Sequence, residues 1–346
     1  MADKDLVVIT GVTGFIGGYC AMEALRRGYR VRGTLRSRGK VEATRGMLRR
    51  HVTLEEGDLE FATVDLTRDD GWADAMRGAR YVLHVASPFP LESPKDADEL
   101  VRPAVDGTRR ARRAASDAGV ERVVLTSSFA AVGFGHGDVS ACRVFTEREW
   151  TNPDGGKDVS PYILSKTMAE KAAWDFTAEH DGAPELTSIN PTLVIGPILG
   201  AGFSSSVEVV RQIVAREVPA LPKLGFGVVD VRDVAWAHCE AMECEEAAGE
   251  RFLCSTGFMW MQDMGEVLAE YLKPKGYNIP TMGMPGFMLR MVALVNPPIR
   301  QVTTELGQHR VASRDKIDRV LGYAPLDLKQ SLRDTADSLI AHGVVS

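Results

Sequence analysis

Leu6-Val7-Val8-Ile9-Thr10-Gly11-Val12-Thr13-Gly14-Phe15-Ile16-Gly17-Gly18 joins an apolar run to glycines spaced three apart, and then to a helical pattern. A short apolar run ending in a glycine-rich turn is how a buried parallel strand passes into a helix. With Gly11, Gly14 and Gly17 at the turn, no Cβ blocks the backbone N–H groups at the helix start, and these can face an anion. The pyrophosphate of a dinucleotide is the natural guest. No Lys-Ser/Thr pair follows the last glycine, which disfavours a nucleoside triphosphate loop. The same spacing also suits a tight turn that needs glycine only for packing, so the rest of the chain must decide.

Outward from this stretch the alternation continues. Strand patterns at 30–36, 61–66, 81–87, 122–128 and 186–195 are separated by helical patterns at 15–27, 40–50, 71–77, 96–118 and 161–180. Such spacing predicts right-handed βαβ units around a parallel sheet covered on both faces, a Rossmann-type doubly wound α/β fold. Beyond Pro191 the rhythm loosens. Segments 229–241 and 261–272 read as helices and 251–255 as a strand, while Leu328, Leu332, Leu339 and Ile340 stripe a terminal helix. The expected organisation is a dinucleotide-binding domain of residues 1–190 plus 229–256. A smaller, discontinuous substrate-binding domain takes residues 191–228 plus 257–346. Met282, Met284, Met288 and Met291 read as core filler, the alternative being an adaptable wall for an apolar substrate.

At 346 residues there is enough chain for one large or two modest cores, and 45% hydrophobic with 25% charged content is that of a globular protein. A net charge of −6 offers no reason to expect nucleic acid or an anionic membrane as partner. No apolar stretch is long enough to span a bilayer, and no signal peptide is visible. Cys20, Cys142, Cys239, Cys244 and Cys254 are scattered without a C-x-x-C pair, which suggests reduced thiols in a cytoplasmic protein. The histidines never fall at H-x-x-x-H spacing, so no metal site is expected, and His84 reads as a buried or half-buried strand residue. A monomer or homodimer is expected.

In a doubly wound fold, an acidic residue about 20 positions past the glycines would bind the adenosine ribose. Here that region reads Thr34-Leu35-Arg36-Ser37-Arg38-Gly39-Lys40. Arg36 can fork onto a 2′-phosphate and Lys40 can add a point charge, which favours NADP(H) over NAD(H). Asp65 could accept from the adenine amino group or merely cap a turn.

Tyr162-Ile163-Leu164-Ser165-Lys166 places a phenol and an ammonium four apart, on one face of a helix. A lysine charge about 4 Å away would favour phenolate by up to about 4 kcal/mol at intermediate dielectric, before desolvation. That would bring the phenol toward a range useful for acid–base work. Tyr271 and Lys275 share the spacing, but Pro274 intervenes, so this pair is read as structural. Thr126-Ser127-Ser128 ends a strand at the sheet edge where open α/β folds bind ligands, and Ser128 would steady a developing oxyanion there.

Gly11-x-x-Gly14-x-x-Gly17, Asp65-Leu66, Ser128 and Tyr162-x-x-x-Lys166, in this order, resemble the extended short-chain dehydrogenases/reductases. Val82-Leu83-His84-Val85-Ala86-Ser87-Pro88, Leu125 to Val132, Ala169-Glu170-Lys171-Ala172-Ala173-Trp174 and Asn190 to Pro197 resemble the dihydroflavonol-reductase-like group. Within it the chain is most similar to the yeast methylglyoxal/isovaleraldehyde reductases and bacterial aldehyde reductases. The resemblance implies NADPH-dependent reduction of an aldehyde or ketone, a small-molecule carbonyl, with Tyr162 giving the proton, Ser128 holding the oxygen and Lys166 lowering the phenol. It further implies that the Phe15 and Ile16 N–H groups meet the pyrophosphate, that Val85, Ala86 and Ser87 line the cofactor, and that the Pro191–Val194 backbone meets the carboxamide. Ser206 would reach the phosphates, and Thr13, Leu66, Tyr162 and Lys166 complete the expected cofactor contacts.

Two departures from the group's pattern stand out. Asp106 precedes Gly107-Thr108 where relatives carry Asn for a proton relay, and Gly133 stands where flavonoid reductases carry an Asn for the substrate's phenolic ring. Without that polar partner dihydroflavonol is disfavoured. Phe89, Phe129 and Phe203 instead suggest an apolar pocket, although aromatic residues there equally suit a core. Hydroxysteroid dehydrogenation remains a neighbouring alternative. Sugar-nucleotide epimerases or dehydratases and a non-catalytic NADP-binding regulator are more remote.

Overall fold

In the computed structural model, which describes residues 4–88, 96–200, 204–293 and 302–345, the chain builds a seven-stranded sheet around its first strand. In chain order the strands are β1 (Leu6–Thr10), β2 (Arg30–Leu35), β3 (Leu59–Thr63), β4 (Tyr81–His84), β5 (Arg122–Thr126), β6 (Arg143–Phe145), β7 (Glu185–Pro191), β8 (Leu193–Ile195), β9 (Leu221–Pro222), β10 (Gly225–Asp230), β11 (Arg251–Cys254) and β12 (Gly257–Trp260), then β13 (Gly283–Met284) and β14 (Arg310–Ala312). The large sheet runs β11-β7-β5-β4-β1-β2-β3 with every neighbouring pair parallel. All residues of β1, β4 and β5 are buried, as expected of central strands covered on both faces.

Helices α1 (Phe15–Arg26), α2 (Val41–Arg49), α3 (Trp72–Met76), α4 (Asp98–Asp117), α5 (Pro161–Glu179), α6 (Ser205–Val214) and α7 (Val231–Glu243) follow, with α8 (Met261–Leu272), α9 (Gly286–Ala293), α10 (Asp315–Leu321) and α11 (Leu328–Ala341) toward the C-terminus. Tyr19, Met22 and Ala24, Leu48, and Val231, Val234 and Met242 pack α1, α2 and α7 on one face. Trp72, Met76, Ala111, Ala115 and Ala173 pack α3, α4 and α5 on the other. The strand order turns back between β1 and β4, the switch point where such sheets open a ligand crevice at their carboxyl ends.

A second sheet, β12-β10-β8, sits with α6, α8 and α11 around a separate apolar cluster that includes Ile195, Val210, Leu268 and Leu339. Phe15 packs against both this cluster and the main core. The sequence read 186–195 as one strand, but the backbone breaks at Thr192, whose N–H and hydroxyl lie 3.1 and 3.4 Å from the Cys254 carbonyl oxygen. Val194 then pairs with Val229 in the second sheet. Both halves are apolar, so periodicity cannot see the change of sheet. β10 and β12 were not anticipated, because the rhythm loosens beyond Pro191 and Gly225 and Gly227 interrupt it. A Cβ on Gly225 would stand 2.2 Å from the Phe258 ring, and one on Gly227 would stand 2.7 Å from Thr192. The third strand ends at Thr63 rather than Leu66, since Asp65 turns the chain. The methionine segment also departs from expectation. Met282, Met288 and Met291 are largely exposed and fill no core.

Candidate active site and cofactor cleft

Gly11 adopts φ +70, a conformation that favours glycine, and its carbonyl oxygen would lie 2.3 Å from a Cβ on Gly17. The helix that follows starts at Gly14 with no side-chain cap. Helices α5, α6, α7 and α11 are all capped, by Ser160, Ser204, Asp230 and Asp327. The N–H groups of Phe15 and Ile16 therefore have no side-chain acceptor at the positive end of α1, as an anion-binding turn requires. Thr13 and Gly14 are exposed beside them. Across the switch point, the Ala86 N–H donates to Thr10 Oγ1 at 2.9 Å, and a Cβ on Gly11 would come within 3.1 Å of Ala86 Cα. Half-buried Val85, Ala86 and Ser87 thus flank the turn. The turn has no room for a side chain at Gly17.

Arg36 and Lys40 are exposed at and just past the carboxyl end of β2. Asp65 caps a turn, its Oδ1 accepting from the Thr67 N–H and hydroxyl, both at 2.8 Å, and these bonds hold its carboxyl below the usual range. Leu66 packs 3.0 Å from where Gly107 would carry a Cβ. Pro191 and Val194 are buried at the two sides of the sheet break, and Ser206 is half-buried in the first turn of α6.

Ser128 ends the turn out of β5, where its Oγ accepts from the Ala130 N–H at 3.1 Å and keeps its own proton to donate. The Ser128 side chain hydrogen-bonds the Tyr162 phenol. Ser160, with Pro161 as the first helical residue, starts α5 immediately before Tyr162, and the Ser165 hydroxyl donates to the Tyr162 carbonyl at 2.8 Å. Burial pushes the phenol up, and the bond from Ser128 pulls it part of the way back. Lys166 bears its own desolvation, which brings it down to about 8 against the opposing pull of Glu170 one turn on. His84 lies close enough to feel the Lys166 charge. It is pushed down to about 3 by burial and stays neutral, its Nδ1 hydrogen-bonded to the Thr10 hydroxyl at 2.9 Å.

Glu170 is the functional-site neighbour that sequence reasoning missed. Only 1% exposed, it accepts from Ser127 at 2.5 Å, Asn190 at 2.7 Å and Arg251 at 2.7 Å. Asn190 Nδ2 also donates to the Ser128 carbonyl at 3.1 Å. The available signal was position: Glu170 follows Lys166 by four residues on the inward face of α5.

Two expected pocket residues prove to be core. Phe129 is 8% exposed and packs edge-on against Phe134 and Phe145, and a Cβ on Gly133 would sit 2.4 Å from its ring. Phe89 and Phe203 lie outside the described residues. The Asp106 side chain is exposed. Tyr271 and Lys275 both clasp Asp337, at 2.5 and 2.6 Å, a structural role as anticipated. Among the described residues no cluster could hold a metal ion, and no helix is long and apolar enough to cross a membrane. All five cysteines are free thiols.

The model of the NAD dependent epimerase/dehydratase family matches residues 7–254. The chain belongs to this family. Among curated members it is 30% identical over 359 residues to the NADPH-dependent methylglyoxal reductase of Saccharomyces cerevisiae, covering 96% of this chain and 98% of that protein. It is 31% identical over 285 residues to the dihydroflavonol 4-reductase of Zea mays, covering 81% and 77%. The crystal structure of yeast methylglyoxal/isovaleraldehyde reductase complexed with NADPH superposes with a TM-score of 0.79 at 29% identity, over 98% of this chain and 100% of that one. Relatives in this epimerase/dehydratase family therefore include named reductases that share the whole architecture.

Proposed function

We propose that the protein is an NADPH-dependent carbonyl reductase that turns an aldehyde or ketone into an alcohol. The observation that carries this is the hydrogen-bonded pair Ser128 and Tyr162, with Ser128 just past the carboxyl end of β5 in a parallel sheet whose β1 runs into an uncapped glycine turn. When bound, NADPH supplies the hydride that reaches the carbonyl carbon. Gly11, Gly14 and Gly17 leave room for its pyrophosphate against the Phe15 and Ile16 N–H groups, and Arg36 with Lys40 meets the 2′-phosphate. Asp65, whose Oδ1 caps the Thr67 turn, accepts from the adenine amino group through Oδ2. Val85 to Ser87, Pro191, Val194 and Ser206 contact the remainder.

The chain's own chemistry is proton handling. The Ser128 hydroxyl donates to the substrate oxygen and steadies the charge that develops there. Tyr162, held protonated by burial, delivers its proton to that oxygen. Lys166 stands one helical turn away to support the phenolate left behind and to hold ribose hydroxyls. A phenol whose burial favours the neutral form suits reduction, the direction that needs a proton donor. In this scheme residues 1–190 plus 229–256 carry most of the cofactor contacts, and residues 191–228 plus 257–346 add Pro191, Val194 and Ser206 to them and bind the substrate.

A panel of short aldehydes, diketones, ketoesters and 3-ketosteroids, assayed with NADPH and with NADH by loss of the reduced nicotinamide absorbance, tests the proposal. Carbonyl-dependent oxidation of NADPH, faster than that of NADH, is expected. No oxidation across the panel would contradict it, and turnover confined to steroids would favour the hydroxysteroid alternative.

A further inference from the structure

Behind Ser128 lies a buried polar cluster that the reaction scheme does not use. The Glu170 carboxylate, with a side chain wholly removed from solvent, receives hydrogen bonds from four elements. Ser127 comes from the end of β5, Asn190 from β7, Arg251 from β11, and Trp174 from α5 itself at 3.4 Å. Ser188 Oγ sits 3.0 Å from it as well. Arg251 in turn donates to the carbonyls of Glu147 and Glu149 at 2.7 and 3.0 Å and lies 3.7 Å over the Trp150 ring. A buried carboxylate needs such a full set of donors, and a nearly complete set specifies one arrangement of the groups that supply it.

We propose that Glu170 is a positioning residue for the reduction: through Ser127 and Asn190 it locks the end of β5 against α5, and so sets where Ser128 meets Tyr162. The link is short. One Asn190 Nδ2 bridges the Glu170 carboxylate and the Ser128 carbonyl, at 2.7 and 3.1 Å. Asn190 cannot rotate its amide without turning an oxygen toward that carbonyl. A glutamine at position 170 puts an NH₂ where one carboxylate oxygen accepted, against either Arg251 or Asn190, both of which can only donate there. The strain falls on the strand end that carries Ser128. Displacing a catalytic group by about 1 Å costs about 100-fold in rate.

This inference rests on the reading of Ser128 and Tyr162 as the reacting pair, so its test has one readout that needs no substrate. In wild type, Glu170→Gln and Asn190→Ala, each loaded with NADP⁺, the Tyr162 phenol is titrated by its ultraviolet phenolate absorbance, taken as the difference from the same protein carrying Tyr162→Phe. Ser128 lowers this phenol, so both variants are expected to titrate higher than wild type. In turnover, each variant is expected to lose about 100-fold in kcat with KM and the NADPH Kd changed less than about threefold, and the double variant to lose no more than either single one. If Glu170→Gln fails to fold because Arg251 is left unpaired, Asn190→Ala cuts the same link with that ion pair intact. A folded variant with wild-type kcat and an unmoved phenol would overturn the proposal. A wild type inactive on every carbonyl overturns the functional reading instead, and the phenol titration still decides this one.

Discussion

Tyr162 holds its proton because it is buried, and Lys166 is ready to surrender one for the same reason; the two responses follow from opposite charge changes in a single desolvated space. Lys166 is charged below about pH 8 and neutral above it, while an unfolded lysine stays charged to about pH 10. Between those values the unfolded chain binds the extra proton, so this group's contribution to stability rises with pH there, yet the ammonium that the proposed mechanism sets beside the phenolate is lost. The reduction rate measured against pH is therefore expected to fall through about pH 8. The residual rate of Lys166→Met is expected to lack that limb. At the far end of the proposed cleft, Arg36→Ala would remove a charge-assisted contact to the 2′-phosphate, and equilibrium titration is expected to show NADPH binding weakened about tenfold or more. NADH, with no 2′-phosphate, is expected to bind almost as before, and equal losses would remove Arg36 from the 2′-phosphate site.

Between residues and the whole fold stand α1 and α5, which present the cofactor turn and the phenol. Gly17→Ala forces a methyl to within 2.3 Å of the Gly11 oxygen, so the turn must open. NADPH affinity is expected to drop by at least about tenfold, a loss of about 1.4 kcal/mol, measured by fluorescence titration. Ser160→Ala removes the cap of α5 and is expected to cost about 1 kcal/mol in denaturant unfolding. These elements were legible in the sequence because local chemistry governs them. Gly11 to Gly17, the Pro161 helix start and the continuous apolar runs of β1, β4 and β5 carry strand, turn and helix without help from distant residues. What was not legible depends on partners far along the chain. Val194 changes sheet because Val229 pairs with it, Phe129 is core because Phe134 and Phe145 lie beside it, and Glu170 finds its donors at the ends of β5, β7 and β11. Exposed methionines at 282, 288 and 291 mislead for a related reason, since composition reports what a segment is able to bury and not whether anything covers it.

At the scale of the whole molecule the two sheets are joined where β10 runs into α7. Asp230, fully buried, is gripped by Arg232 at 2.8 Å, and Arg232 reaches on to Asp334 of α11 at 2.7 Å. The same helix holds the segment after β8, with Thr335 accepting from the Gly196 N–H at 2.8 Å and Ser338 from the Ile198 N–H at 2.9 Å. From the other side the Tyr19 hydroxyl of α1 donates to the Pro197 carbonyl at 2.7 Å. One short segment is thus clasped between the helix that begins at the glycine turn and the last helix of the chain. Arg232→Leu leaves Asp230 buried without its ion pair and is expected to destabilise the protein by about 3 kcal/mol or more in equilibrium unfolding. Loss of less than about 0.5 kcal/mol, the scale of an ordinary surface change, would show that the clasp does not hold the two sheets together.

The most direct measurement on the central claim takes Tyr162→Phe, which keeps the ring and removes the proton. NADPH binding is expected to stay within about threefold of wild type, while carbonyl-dependent NADPH oxidation falls by about 100-fold to 10,000-fold. Turnover at the wild-type rate in that variant would contradict the assignment of Tyr162 as the proton donor.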